Sequence, residues 1–240
     1  MQVQVDISEI SFIQKGAGKD VLFLHGYLSS KEAFTEQIEY FSKFYRVTAL
    51  DFVGFGKSAK LKTPFSVADY AEWTKNVMGL LSVKKPHVIA HSFGCRVAVK
   101  MASKERGVFD KILLTGPAGM RSRRGIWYYC KVWAYRAVRK FAPKFAEKHF
   151  GSKEYRSLSS VMKESYKKIV NEDLRDDAKR IKNPVLIVEG EQDKTTPLKE
   201  ARAYLACFTN GRMKMVKGGH FAFAEYPTAF TMIAEEFFYE

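Results

Sequence analysis

The chain has 240 residues, 46% of them hydrophobic and 14% aromatic, and a formal net charge of +14. That length and apolar content suit one globular core with an inserted segment and exclude a disordered chain. No run approaches the roughly 20 apolar residues that span a bilayer, and the start, MQVQVD, lacks the basic-then-apolar pattern of a secretory signal, so a cytoplasmic setting is expected.

In chain order, residues 3–7 (VQVDI) and 8–13 (SEISFI) alternate like short strands, and residues 21–26 (VLFLHG) form a continuous apolar run ending in a turn. Residues 31–44 have helical spacing, and residues 45–51 (YRVTALD) read as a buried strand. Ser66 and Asp69 have capping-box spacing, which opens a helix running to residue 82. A strand over 86–90, a helix over 93–103 and a strand over 111–116 follow. Then comes a glycine- and arginine-rich connector, GPAGMRSRRG, and residues 122–180 read as helical and polar. The strand pattern resumes at 184–188, with a helix over 197–207, a strand over 213–216 and a last helix from Pro227. Strands alternating with helices imply βαβ units and a mostly parallel sheet, while the tightly joined first strands make one edge antiparallel. The helical excursion is expected over the carboxyl ends of the strands, where open α/β sheets bind ligands.

Charge is uneven. Residues 121–170 carry 14 Lys or Arg against 3 Glu, a net +11 in 50 residues, which suits an anionic partner. Within them, GIWYYCKVWAYRAVRKFAPKFAEKHF sets Ile126, Tyr129, Cys130, Trp133, Ala137, Phe141 and Phe145 near helical spacing. Lys131, Arg136, Arg139, Lys140 and Lys144 fall mainly on other faces. An amphipathic helix with a solvated basic face accounts for this; peripheral membrane contact and attraction of an anionic substrate are the alternatives. No nucleic-acid motif accompanies the charge, so no nucleic-acid partner is expected. Cys95, Cys130 and Cys207 are far apart, cannot all pair and form no metal pattern, so reduced thiols and no metal are expected.

The stretch VIAHSFGCRVAV sets Ser92 between a strand and a helix, with small residues, Ala90 and Gly94, two positions to either side. A strained nucleophile turn needs that context, and so does an ordinary helix N-cap. A serine nucleophile needs a base, and the base needs an orienting carboxylate. Asp193 follows the strand at 184–188 and His220 follows the strand at 213–216, on the same rim as Ser92. Asp51 is a rival acid, but its DFVGFGKS setting reads as a turn shaped by Gly54 and Gly56; Glu189 and Glu191 fit less well.

Five ordered stretches resemble the α/β-hydrolase superfamily, in the group with a helical cap, over nearly the whole length. FLHGYLSS resembles the oxyanion loop, DFVGFGKS the turn after the next strand, AHSFG the nucleophile elbow, GEQDKTTP the acid loop and GGHF the histidine loop. Ala90 departs from the usual first elbow glycine, and Cys95 stands where glycine is frequent. The resemblance implies Ser92 as nucleophile, Asp193 as acid and His220 as base. It makes the backbone N–H groups of Tyr27 and Phe93 the oxyanion donors, with His25 structural and no cofactor. The expected layout is an α/β-hydrolase core over 1–116 and 183–240 with a basic helical cap over 117–182. The cap, with Tyr27, Phe93 and Phe221, is expected to shape an apolar pocket.

The function implied is hydrolysis of a small or medium carboxylic ester through an acyl-serine. The substrate is a small molecule, acyl or anionic. One alternative keeps the triad for a carbon–carbon hydrolase or lyase acting on an anionic metabolite, which the basic cap and Arg96 suit. Another is a non-catalytic ligand receptor on the same fold. Serine at position 92 argues against an aspartate nucleophile.

Overall fold

The computed structural model describes residues 5–120 and 153–240. Its centre is a seven-stranded sheet built from β1 (Phe12–Lys15), β2 (Asp20–Leu24), β3 (Arg46–Leu50), β4 (His87–His91), β5 (Ile112–Thr115), β6 (Val185–Gly190) and β7 (Gly211–Val216). The order across the sheet is β1-β3-β2-β4-β5-β6-β7, with every pair parallel except β1 against β3. The inner strands β2, β4, β5 and β6 are buried throughout. That is why they read as unbroken apolar runs rather than alternating ones.

Neighbouring residues of one strand feed opposite cores. Leu22 and Leu24 of β2 join Val88, Ala90, Ile112 and Ile187 on one face, covered by α2 (Val67–Leu80), α3 (Phe93–Lys104) and, after β6, α7 (Leu198–Leu205). Val21 and Phe23 join Ile89, Leu113 and Val188 on the other face. There α1 (Thr35–Phe41) and the last helix, α9 (Pro227–Tyr239), cover them. The chain leaves β2 for β3 on one side and returns through α2 to β4 on the other. The carboxyl ends of β2 and β4 are therefore the point where strand order reverses, and a ligand crevice forms at such a point.

The capping box at the start of α2 is present: Ser66 Oγ accepts from the Asp69 N–H at 3.3 Å, and Asp69 Oδ2 accepts from the Ser66 N–H at 2.7 Å. Ser66→Ala is expected to cost about 1 kcal/mol in denaturant titrations, with the slope of the transition unchanged.

Two expectations are corrected, and one short helix is added. Residues 7–9 form a 3-10 turn, because the Asp6 carboxylate takes the Ser8 N–H at 2.9 Å; the strand begins at Phe12. Residues 31–44 split into a 3-10 turn, Lys31–Phe34, and α1, the Lys31 N–H being held by Asp51 Oδ1 at 2.8 Å. A short helix, α8 (Ala222–Glu225), precedes α9. Between β5 and β6 lie α4 (Lys153–Ser157), α5 (Ser160–Asn171) and α6 (Arg175–Ala178). The basic aromatic stretch and Cys130 fall outside the described residues, as does the part of the expected cap over 121–152. Among the described residues no helix is long and apolar enough to cross a membrane.

Candidate active site

Ser92 joins β4 to α3 with φ 49° and ψ −105°. Positive φ in a non-glycine residue costs on the order of 1–3 kcal/mol and persists only where the surroundings impose it. Here they do. The Ser92 N–H donates to the Thr115 carbonyl at 3.1 Å, and its own carbonyl accepts from the Cys95 N–H at 3.1 Å. The helix then runs so close to β2 that a β-carbon at Gly94 would lie 2.2 Å from the Leu24 carbonyl oxygen. Ala90 is buried in the core, where its methyl is accommodated. The serine side chain makes no capping hydrogen bond to α3, which removes the N-cap alternative. It is half-buried and faces a cavity.

Asp193 sits in the turn after β6. Its Oδ1 accepts from the backbone N–H groups of Thr195 (2.7 Å) and Thr196 (2.9 Å). Its Oδ2 accepts from the Thr196 hydroxyl (2.8 Å) and lies 2.7 Å from His220 Nδ1. Burial works against its charge, but the bonds from His220 and Thr196 outweigh that and hold the carboxyl at about 2. With Nδ1–H aimed at a permanent carboxylate, the free nitrogen of His220 is Nε2. His220 lies in the loop after β7, and its backbone carbonyl is 2.9 Å from His91 Nε2. His91 is buried, and burial together with neighbouring His220 pushes it down to about 3, so it stays neutral and donates. Thr196 and His91 were missed in the sequence; the Asp-x-x-Thr spacing of the acid turn was the available signal for the first.

Two backbone N–H groups flank the serine. Phe93 opens α3, whose N-terminal dipole favours negative charge. Tyr27 follows Gly26, where a β-carbon would lie 2.7 Å from His91 Nδ1 and 3.4 Å from Ser92 Cβ; this close approach sets the loop beside the serine. Among the described residues neither N–H has a protein acceptor.

His25 is buried and occupied: Nε2 accepts from the Phe52 N–H at 3.0 Å and Nδ1 lies 2.7 Å from the Gly26 carbonyl. Burial lowers it to about 4, so it remains neutral and braces the loop. Asp51 is a turn residue, taking the Lys31 N–H and ammonium (2.8 and 2.9 Å) and the Lys57 N–H (2.9 Å). Gly54 and Gly56 of that turn have φ of 87° and 51°. Glu191 is exposed. Glu189 is fully buried, with no donor placed to hydrogen-bond either carboxyl oxygen; burial, then the charge of Asp193 and the closeness of the two carboxyls push it up to about 8.

The cavity measures about 690 Å³, the size of a small-molecule site. Gly26, Tyr27, Ser92, Phe93, Thr196 and His220 form its floor, and Tyr155, Leu158, Tyr166, Ile169 and Val170 its wall. Leu28 and Phe221, both about half exposed, stand in its lining, and Arg96 and Glu200 add charge. Among the described residues no group of three or more His, Cys, Asp or Glu is arranged to hold a metal.

Comparison with known proteins agrees on the fold. The family model described as alpha/beta hydrolase fold matches residues 20–123. The enol-lactonase from Burkholderia xenovorans LB400 superposes with a TM-score of 0.76 at 19% identity, over 96% of each chain. The esterase from Exiguobacterium antarcticum superposes with a TM-score of 0.77 at 21% identity, again over 96% of each. The chain has the α/β-hydrolase fold. In sequence it is 35% identical over 107 residues to "Probable lysophospholipase BODYGUARD 3" of Arabidopsis thaliana, covering 42% of this chain and 22% of that protein. It is 32% identical over 83 residues to (E)-2-((N-methylformamido)methylene)succinate hydrolase of Acinetobacter baylyi, covering 35% of this chain and 32% of that protein. The matched stretches thus span a third or less of either relative's length.

Proposed function

We propose that the protein is a serine hydrolase that cleaves carboxylic esters through an acyl-serine. The observation that carries this reading is the Asp193–His220 pair, 2.7 Å apart, opening on the same cavity as the uncapped Ser92. Ser92 Oγ attacks the ester carbonyl carbon and its proton passes to His220 Nε2. The developing oxyanion is held by the N–H groups of Tyr27 and Phe93. The C–O bond of the ester breaks, the alcohol leaves with the proton from Nε2, and the acyl group stays on Ser92. Water then attacks the acyl-serine, giving its proton to Nε2. Collapse releases the acid and returns that proton to Ser92. Asp193 fixes the imidazole tautomer and stabilises the imidazolium without taking the proton. The relatives' names, an esterase, a lactonase and a lysophospholipase, support ester chemistry. Residues 117–182 are the proposed cap, and within them residues 155–170 contribute the aromatic and aliphatic wall.

A serine-directed phosphonate is expected to form one covalent adduct, located on Ser92 by mass spectrometry, and to stop hydrolysis of chromogenic short-acyl esters. An unlabelled wild type that turns over no ester would point to a ligand receptor. Product analysis with a dienoic keto-acid checks the carbon–carbon alternative. The net +11 of residues 121–170 supports an anionic substrate or membrane surface. Esters of graded acyl length, assayed at low and high salt with anionic vesicles, separate the two.

A further inference from the structure

Arg96 lies on α3 four residues beyond Ser92, so it sits about 6 Å further along the helix. It is 9% exposed and lines the cavity. Its Nη1 donates to the carbonyls of Ile169 (2.9 Å) and Glu172 (3.0 Å), at the C-terminal end of α5. Those two bonds use both hydrogens of Nη1. Among the described residues Nε and Nη2 have no acceptor, and no carboxylate lies within ion-pair distance of the guanidinium. Closing the end of α5 occupies Nη1 alone. Arginine adds a planar edge with paired donors, the shape that receives a carboxylate through two parallel hydrogen bonds.

The geometry points to Arg96 as the receptor for a carboxylate carried by the substrate, about one helical turn from the scissile carbonyl. This rests on the ester-hydrolase reading and narrows it to half-esters of short dicarboxylic acids. Such molecules carry the anion about two to four carbons from the ester carbonyl. Glu200 lines the same cavity outside ion-pair distance of Arg96. A negative group there tolerates a monoanion and repels a dianion, so the site favours a carboxylate over a phosphate.

The test compares p-nitrophenyl hemisuccinate with the neutral p-nitrophenyl butyrate in the wild type, Arg96→Gln and Arg96→Lys. The wild type is expected to favour the anion at least about 10-fold in kcat/KM, chiefly through KM, with Arg96→Gln near parity and Arg96→Lys between. Glu200→Gln is expected to raise the anion preference further. Calorimetry of glutarate binding gives a readout that needs no turnover: wild type binds, Arg96→Gln binds at least about 10-fold more weakly, and circular dichroism checks that each variant is folded. Binding lost in Arg96→Gln while no variant hydrolyses either ester keeps the carboxylate site and overturns the hydrolase reading. Parity between the two esters in the wild type, an equal loss for both in Arg96→Gln, or glutarate binding unchanged in that variant overturns the proposal.

Discussion

Replacing Ser92 by alanine is expected to lower kcat/KM for ester hydrolysis by about 10⁴-fold or more. The alanine variant keeps the cavity and the Tyr27 and Phe93 N–H groups, so only their residual acceleration survives. His220→Ala is expected to cost a similar factor, and the double variant no more than either alone, because nucleophile and base act as one unit. Asp193→Asn keeps the shape of the pair but presents an N–H to Nδ1 where a carboxylate now lies at 2.7 Å. That turns the imidazole to the wrong tautomer, with a loss of about 10⁴-fold. Initial rates with a chromogenic ester on purified variants decide the matter. A Ser92→Ala protein retaining a tenth of wild-type activity would remove Ser92 from the mechanism, wherever the cavity leads.

The second large effect concerns stability. Glu189 is buried at the end of β6 with both oxygens unpaired, and its carboxyl is raised from 4.5 to about 8. The folded protein therefore holds a proton that the unfolded chain has already released above pH 4.5. Across the window from 4.5 to about 8 the native state binds more protons than the unfolded one, so stability falls as pH rises. The contribution is fully present below pH 4.5 and levels off above 8. A shift of this size corresponds to on the order of 5 kcal/mol. Glu189→Gln stays neutral throughout. Its advantage over the wild type is expected to be near zero at pH 4 and to grow to several kcal/mol by pH 9. Urea titrations at intervals of one pH unit measure this, and a difference that stays constant with pH would refute it. Keeping Glu189 uncharged also leaves Asp193 as the ionised partner of His220, two neighbouring carboxyls driven apart by their surroundings.

The strand–helix alternation and the ends of the inner strands were legible because both faces of the sheet are covered. Residues 21–24, 88–90 and 185–188 had to be apolar at every position, and that pattern survives in one dimension. Ser92 and Asp193 were legible for a related reason, since each closely follows such a strand, whereas His220 follows the half-exposed edge strand β7 and was legible from its place after the last strand. What decides the character of Ser92 was not legible: its positive φ is imposed by the Thr115 carbonyl and by Gly94 against β2, contacts between distant parts of the chain. The 3-10 turn at 7–9 hid behind β-like alternation, because the Asp6 carboxylate, bonded by the Ser8 N–H and hydroxyl, overrides propensity in a segment with no buried residue. Glu189 reads as one more polar residue in the acid loop, and only burial reveals it as an unpaired group. The place of Arg96 in the cavity wall likewise depends on α5, whose carbonyls it meets.

The tight packing around Ser92 has a consequence for redesign. Next to the serine there is no room for a β-carbon at Gly26, against the His91 ring, or at Gly94, against the β2 main chain, whereas the far wall is made of side chains from residues 155–170, all in one connection between β5 and β6. Diversity introduced at the first pair of positions would be lost to misassembly before any substrate was tested. The same diversity confined to the connection would sample new pocket shapes over an unchanged reaction centre. A library of variants should therefore draw its specificity from one contiguous stretch of the gene, with Arg96 as the fixed post to which each new wall must still be tied.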